Sequence, residues 1–229
     1  MEPKRVVVAI DGPAGSGKST LARRLAVELG LSYLNTGTMY RAVARAALDH
    51  GVDVDDGVGL AELARTMTFD IDRSASPPSL LVDGRSPEEE LARAGVEAVV
   101  SAVARHPEVR SVLREEQRRL GSGAAVVEGR DIGTVVFPDA EVKVFLHADP
   151  VERAARRQAE RGEADPALAE ALARRDALDS RVNPFVPAAD ATVVDTTRRE
   201  ADEVFGEVLA LVRGSLDRVE REPETGEGR

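Results

Sequence analysis

The amino-acid sequence predicts an α/β fold in which a parallel sheet is covered by helices on both faces. Short apolar segments alternate along the chain with longer segments of helical composition, and this alternation is typical of parallel sheets. The first apolar segment, residues 5–11, is rich in β-branched residues and runs into a glycine-rich loop at residues 12–19. A helical segment rich in Ala, Leu and Arg follows that loop. This order of strand, glycine-rich loop and helix is typical of a phosphate-binding unit.

The predicted strands and helices alternate in chain order. The strands are predicted at residues 5–11, 32–34, 124–127, 142–146 and 191–194. The helices are predicted at residues 18–29, 38–50, 107–120, 151–161, 167–180 and 200–219. Parallel α/β sheets bind their ligands at the carboxyl ends of the strands. The loop at 12–19, the turn at Thr36 and the segment 128–131 each follow a strand, and we therefore expect them to meet.

One segment interrupts this alternation. Two short strands are predicted at residues 68–71 and 80–82, and we interpret residues 60–104 as a small β-containing insert. The tail at residues 220–229 is charged and contains Gly and Pro, which predicts disorder. The core is then formed by residues 1–59, 105–150 and 183–219.

Composition excludes several classes of function. The 229-residue chain has a formal net charge of −10 and no cysteine, which excludes disulfides and thiolate catalysis and argues against non-specific nucleic-acid binding. The three histidines are scattered along the sequence, and we expect no metal site from them. The sequence contains no long apolar run and no signal-peptide pattern at its start. We expect a monomeric, cytoplasmic protein with no membrane or nucleic-acid partner.

The loop "GPAGSGKST" fits the pattern G-x-x-x-x-G-K-[ST]. Its glycines let successive backbone N–H groups face one anion, at the start of a helix whose dipole also favours negative charge. Lys18 would reach the β- and γ-phosphates of a nucleotide, and the hydroxyl of Ser19 would bind Mg²⁺. The residues predicted to bind the nucleotide phosphates are Gly12, Pro13, Ala14, Gly15, Ser16, Gly17, Lys18, Ser19 and Thr20.

Arginines gather in segments that would lie beside this loop. In "NTGTMYRA", residues 35–42, either Thr36 or Thr38 is a candidate helix cap and Arg41 lies on the first turns of the helix. The segment "VVEGRD" ends a predicted strand and places Glu128, Arg130 and Asp131 at its carboxyl end. A surface turn without a functional role is a poor explanation for such a charged cluster. The sequence therefore predicts a second phosphorylated ligand next to the loop.

Two further helices carry more arginines. Arg153, Arg157 and Arg161 are spaced i, i+4 and i+8, so they line one side of the first helix. In the second helix Arg175 and Asp179 are spaced i, i+4, and Arg181 follows them. We interpret residues 151–182 as an arginine-rich helical hairpin that acts as a mobile lid, although a solvated charged face would show the same spacing.

These motifs resemble those of the bacterial cytidylate kinases, a family of nucleoside monophosphate kinases with a P-loop core. The resemblance covers roughly residues 5–213 and rests on "IDGPAGSGKST", "NTGTMYRA", "EGRDIGTVVFPDA", "ERAARR" and "RRDALDSR" followed by "PAADA". It implies ATP, with its phosphates bound by residues 12–20, and CMP or dCMP as substrates, Mg²⁺ as cofactor, and a monophosphate-binding role for the insert at 60–104.

The resemblance also implies a role for individual residues. The catalytic residues would be Lys18, Arg130, Arg153 and Arg157, the last two closing on ATP from the lid. Ser101, Arg110 and Asp131 would contact the cytosine base, and Arg175 and Asp179 the ribose. The CMP-binding residues would be Thr36, Tyr40, Arg41, Ser101, Arg110, Arg130, Asp131, Arg175, Asp179 and Arg181.

The chemistry of the base supports this assignment. Cytosine presents an amino donor at N4, which suits a carboxylate such as that of Asp131, whereas uracil presents an acceptor there. Two other functions remain open from the sequence: a P-loop kinase for UMP, AMP or another small molecule, and a nucleotide-binding switch without transfer activity. The absence of the guanine-binding pattern N-K-x-D argues against a GTPase.

Overall fold

The computed structural model describes residues 6–87, 91, 94–161, 170, 173–174, 176–178, 180 and 184–221. A five-stranded parallel sheet forms its centre, in the order β2-β5-β1-β6-β7, and a two-stranded antiparallel hairpin, β3-β4, lies apart from it. The strands are β1 (Val7–Asp11), β2 (Ser32–Asn35), β3 (Phe69–Asp72), β4 (Ser79–Val82), β5 (Ala125–Gly129), β6 (Val142–His147) and β7 (Thr192–Asp195). The predicted parallel sheet is confirmed.

Helices cover the two faces of the sheet. They are α1 (Lys18–Leu29), α2 (Thr36–His50), α3 (Gly57–Thr66), α4 (Ala94–Ala104), α5 (Pro107–Gly121), α6 (Pro150–Arg161) and α7 (Ala201–Arg221). Alternate residues of β1 enter different cores. Val8 and Ile10 pack with apolar residues of α1 and α7, whereas Val7 and Ala9 pack with residues of α2 to α5. Burial on both faces explains the continuously apolar strand sequences.

The structure differs from the sequence prediction at several element boundaries. Helix α2 begins at Thr36, and the side chain of Asn35 caps it by accepting from the backbone N–H of Thr38 at 3.2 Å. The expectation that Thr36 or Thr38 caps this helix is therefore wrong. Helix α7 continues to Arg221, into the segment predicted as a disordered tail, whereas residues 222–229 lie outside the described residues.

The segment at 60–104 contains more helix than predicted. Helices α3 and α4 flank the β3-β4 hairpin, and their buried side chains belong to the same apolar core as one face of the sheet. Leu60 and Val103 are fully buried there. Asp56 caps α3 by accepting from the backbone N–H of Gly59, but both helices are short and are stabilised mainly by burial against α2 and α5.

A single π-helical turn, Ile132–Val136, follows β5. Both carboxylate oxygens of Asp11, at the end of β1, accept from its first backbone N–H groups: Oδ1 from Ile132 and Oδ2 from Gly133, each at 2.8 Å. Burial raises the pKa of Asp11 to about 6, against the opposing effect of these two hydrogen bonds. The turn joins the carboxyl ends of β1 and β5 and thereby fixes Arg130 and Asp131 beside the loop at 12–19.

Among the helices described, none is long and apolar enough to span a membrane.

Candidate active site

One cavity of about 420 Å³ opens at the carboxyl edge of the sheet, where the sequence predicted that the motifs meet. Its walls come from the glycine-rich loop, the start of α2, the end of β5 and the helices α4 and α5. The predicted site residues in its lining are Ala14, Gly15, Gly17, Lys18, Ser19, Thr20, Thr36, Tyr40, Arg41, Ser101, Arg110, Arg130, Asp131 and Arg157. Segments far apart in the sequence thus converge on a single space.

The loop between β1 and α1 has the conformation of an anion-binding loop. Gly12, Gly15 and Gly17 have φ angles of 146°, 76° and 91°, which favour glycine. A Cβ atom on Gly12 would lie 2.3 Å from the carbonyl oxygen of Leu146 in β6. No described side chain caps α1, and its first turn contains no acidic residue. Its first N–H groups therefore remain available to a phosphate.

Lys18 is bonded across this loop. Its ammonium group donates to the carbonyl oxygen of Pro13 at 2.7 Å. Burial, and then the positive charge of Arg130, lower the pKa of Lys18 to about 7. A phosphate bound in the loop would oppose both effects, because it places negative charge beside the ammonium group.

Ser19 and Tyr33 both donate to the buried carboxylate of Glu128. The hydroxyl of Ser19 lies 3.0 Å from Oε2, and that of Tyr33 lies 2.5 Å from Oε1. Burial, and then the carboxylate itself, raise the pKa of Tyr33. Within the loop, the Oγ atom of Ser16 is buried without a hydrogen-bond partner among the described residues.

The oxygens at this point fit a divalent cation of the magnesium type. Mg²⁺ prefers oxygen ligands and keeps several of its waters, so one hydroxyl and one nearby carboxylate are a sufficient protein contribution. Ser19 and Glu128 supply these two groups beside the phosphate loop. The described residues contain no cluster of three or more His, Cys, Asp or Glu that would hold a metal without a phosphate.

The start of α2 forms another wall of the cavity. The hydroxyl of Thr36 donates to the backbone carbonyl of Glu128 at 2.8 Å, which ties α2 to β5. Arg41 donates from Nη2 to the hydroxyl of Thr38 at 2.9 Å. Arg130 donates from Nη1 to the carbonyl of Gly12 at 3.2 Å. Arg41 and Arg130 therefore present cations to the cavity from two sides.

Asp131 lines the cavity and is held by two arginines of α5. The Nη2 atoms of Arg110 and Arg114 lie 2.8 Å and 2.7 Å from Oδ2 of Asp131. Ser101, on α4, lines the cavity together with Arg110 and Asp131. Tyr40 also lines the cavity, and burial raises its pKa. The three residues that the family resemblance assigns to the base thus line the same cavity, and two of them, Arg110 and Asp131, are in contact.

Arg153 differs in its position from the other predicted catalytic residues, Lys18, Arg130 and Arg157. It lies outside the cavity lining and is buried, and it donates to the carbonyl oxygens of Ala14, at 2.9 Å, and Ala148, at 3.1 Å. It also forms an ion pair with Asp176. Arg157, one turn further along α6, does line the cavity. Arg153 therefore attaches α6 to the glycine-rich loop in this structure.

Three predicted residues, Arg175, Asp179 and Arg181, lie outside the described residues. Gly12, Pro13 and Ser16 belong to the loop but do not contribute to the cavity lining.

Sequence reasoning missed contacts made by four other residues: Tyr33, Arg114, Asp176, and Glu128 in its contact with Ser19. One signal was available for Arg114, because it follows Arg110 by four residues on a helix and so lies on the same face. The pairing of Tyr33 with Glu128 had no sequence signal, because it joins two strands that are distant in the sequence.

A parallel sheet with a P-loop after its first strand, and several arginines in the lining of the adjoining cavity, are typical of the class of P-loop kinases. The family model described as cytidylate kinase matches residues 8–214, and the chain belongs to this family. The predicted resemblance is confirmed.

Individual relatives agree with this assignment. The chain is 45% identical over 214 residues to a cytidylate kinase of Pelotomaculum thermopropionicum, covering 90% of this chain and 95% of the relative. It is 43% identical over 215 residues to a cytidylate kinase of Streptomyces griseus, covering 91% and 93%. The crystal structure of an uncharacterized protein from Eubacterium ventriosum is similar in fold, with a TM-score of 0.51 at 10% identity, covering 91% of this chain and 98% of the other.

Proposed function

We propose that this protein transfers the γ-phosphoryl group of MgATP to CMP or dCMP, giving ADP and CDP or dCDP. One observation carries the proposal beyond family membership. The phosphate-binding loop and the Asp131–Arg110 pair line the same cavity, with Arg41, Arg130 and Arg157 also in its lining. A donor nucleotide on the loop and an acceptor nucleotide with its base at Asp131 would have their phosphates among these arginines.

Transfer needs no covalent intermediate with the protein. A phosphate oxygen of CMP attacks the γ-phosphorus in line, the new P–O bond forms, and the bond to the β-γ bridging oxygen breaks to release ADP. Negatively charged oxygens must approach each other in this step. The positive charges of Lys18, Arg41 and Arg130 offset that repulsion. The guanidinium groups of the two arginines also match phosphate edges with two donors.

Mg²⁺, when bound, neutralises and orients the phosphates of ATP. Ser19 is the residue that would bind it directly, since its hydroxyl follows Lys18 at the start of α1. Glu128 accepts from Ser19 and would also accept from waters of the ion. This arrangement supports the proposed cofactor.

Base selection would occur at Asp131. Its carboxylate suits the N4 amino donor of cytosine, while the hydroxyl of Ser101 and the guanidinium of Arg110 suit the acceptors O2 and N3. Uracil would place its O4 acceptor against the carboxylate. An unpaired contact of this kind inside a site causes strong discrimination. We therefore expect CMP and dCMP to be preferred to UMP.

Water must be kept from the γ-phosphate, or ATP would be hydrolysed. We assign this role to the segments at residues 60–104 and 151–182, which would close over the acceptor and the donor respectively. Arg157 already faces the cavity from α6, and Arg175, Asp179 and Arg181 belong to the same proposed lid. A monomeric state and a cytoplasmic location stay predictions.

The test is ADP formation from MgATP with CMP, dCMP, UMP, AMP, GMP or dTMP added singly. The wild type should be fast with CMP and dCMP and weak with UMP. In Asp131→Asn, the amide oxygen can accept from the arginines while the NH₂ group faces the base. The NH₂ group suits the O4 acceptor of uracil and not the N4 amino group of cytosine, so activity with CMP should fall and the ratio of UMP to CMP activity should rise. Asp49→Asn, on the exposed end of α2, is the control. If no monophosphate stimulates ADP release, the proposed kinase activity is wrong.

A further inference from the structure

Arg110 and Arg114 both bond to Asp131, but Arg114, unlike Arg110, does not line the cavity. Its Nη2 lies 2.7 Å from Oδ2 of Asp131, yet Arg114 is not part of the cavity lining. It lines instead a groove on the outer side of α5, together with Arg105, Arg110 and Arg118. Arg114 would therefore not touch a nucleotide in the cavity and can act on one only through Asp131.

The two arginines share one carboxylate oxygen. Arg110 and Arg114 both donate to Oδ2 of Asp131, at 2.8 Å and 2.7 Å. A single arginine facing a carboxylate commonly binds both of its oxygens. Here the side-chain hydrogen bonds that Asp131 accepts from described residues both end on Oδ2. None of these hydrogen bonds ends on Oδ1, and a ligand's donor can reach this oxygen from the cavity.

Placing two guanidinium groups on one oxygen has an electrostatic cost, because like charges come close together. The side chains of Arg110 and Asp131 are each 11% exposed and that of Arg114 is 26% exposed, so water screens this repulsion incompletely. The Nε atom of Arg114 is also buried without a hydrogen-bond partner among the described residues. Helix stability alone does not require an arginine at this position.

We infer that Arg114 is a positioning residue that sets base selectivity in the proposed CMP kinase reaction. Its donation to Oδ2 fixes the plane of the Asp131 carboxylate so that Oδ1 faces the position of the cytosine N4 amino group. It also supplies the second charge-assisted bond to Oδ2, so that Arg110 is not the sole partner of the carboxylate and can donate to the base. The inference rests on the proposed function.

The experiment compares kcat/KM for CMP and for UMP in Arg114→Met, Arg114→Lys and the wild type, with the KM for ATP measured in parallel. Arg114→Met keeps the length of the side chain but removes its donors. It should lower kcat/KM for CMP by about tenfold and that for UMP by less than about threefold, since one charge-assisted hydrogen bond is lost. The loss should appear in the KM for CMP and leave the KM for ATP unchanged.

Two variants make the result specific. Arg114→Lys keeps one cationic donor and should restore part of the CMP:UMP ratio. Arg119→Met is the matched control, because Arg119 lies on the same helix and bonds to Glu116 and to the carbonyl of Phe69, away from Asp131. Its selectivity should equal that of the wild type. Calorimetric titration with CMP and UMP, without ATP, should show the same change in selectivity as a difference in binding.

Equal losses for CMP and UMP in Arg114→Met would show a merely structural role and overturn the inference. Wild-type kcat/KM for both nucleotides in Arg114→Met would overturn it as well. If Arg114→Met does not fold, Arg114→Lys decides. A CMP:UMP ratio of kcat/KM below that of the wild type supports the inference, and equal losses for both nucleotides contradict it. A wild type that fails to use CMP would refute the proposed function itself, and the inference would fall with it.

Discussion

The hydroxyl of Ser19, on the first turn of α1, donates a hydrogen bond at 3.0 Å to Oε2 of Glu128, in β5. The other oxygen of this carboxylate accepts from Tyr33. A serine hydroxyl that gives its proton to a carboxylate keeps its lone pairs free to bind a cation. The contact therefore orients Ser19 for the metal role that the loop sequence predicts.

Glu128→Gln should weaken metal binding more than it weakens nucleotide binding. The amide removes the negative charge and offers Ser19 only one acceptor oxygen, so we expect about tenfold more Mg²⁺ to be needed for half-maximal activity. Binding of Mn²⁺ with ADP, followed by electron paramagnetic resonance, measures the same effect without catalysis. Glu203→Gln, an exposed carboxylate paired with Arg199, is the control. Equal metal dependence in Glu128→Gln and the wild type would contradict the prediction.

Lys18 should make ATP binding dependent on pH. Its pKa is about 7 in the free protein, below its ordinary value, and bound phosphates should raise it. Between these two pKa values the free protein lacks a proton that the complex holds, so binding takes up a proton and affinity falls as pH rises above about 7, by at most about tenfold per pH unit. Calorimetry at pH 8 in buffers of different ionisation enthalpy measures the uptake. Lys18→Arg, whose side chain stays charged over this pH range, should show no proton uptake on binding. Zero proton uptake in the wild type would refute the prediction.

How much of the site the sequence could predict depends on the kind of contact. The loop at 12–20 and the Glu128–Asp131 cluster were predictable, because each is a short motif at the end of a strand whose apolar pattern is clear. Tyr33 and Asp176 were not, since their partners Glu128 and Arg153 become neighbours only in the folded chain. Helices α3 and α4 were missed for the related reason that tertiary burial stabilises them.

Asp176 should stabilise the junction between α6 and the glycine-rich loop. It pairs with the buried Arg153, which also donates to the carbonyl of Ala14. Asp176→Ala would leave a buried guanidinium without its carboxylate, at a cost of about 1–3 kcal/mol in the free energy of unfolding. A double-mutant cycle with Arg153→Met, measured by chemical denaturation, should show a coupling of about 1 kcal/mol or more.

The exposed pair of Glu170 with Arg174 provides the control cycle, because its side chains are 73% and 63% exposed. Its coupling should be within experimental error. Additive effects of Asp176→Ala and Arg153→Met would mean that the ion pair contributes nothing to this junction.

Gly12→Ala should disrupt the phosphate loop more than any other replacement by a single methyl group in it. The added Cβ would lie 2.3 Å from the backbone carbonyl of Leu146, and the φ angle of 146° is one that alanine rarely adopts. Because the obstacle is backbone in β6, relief requires the loop to move away from the sheet, and we expect a loss of at least about 2 kcal/mol of stability together with loss of ATP binding.

Gly206→Ala, in α7, is the control: it adds the same methyl group where nothing lies within 4 Å, and it should stabilise the protein by up to about 1 kcal/mol. Thermal unfolding with and without MgADP measures both effects. Wild-type stability and nucleotide affinity in Gly12→Ala would show that close packing of the loop against β6 is not what shapes the phosphate site.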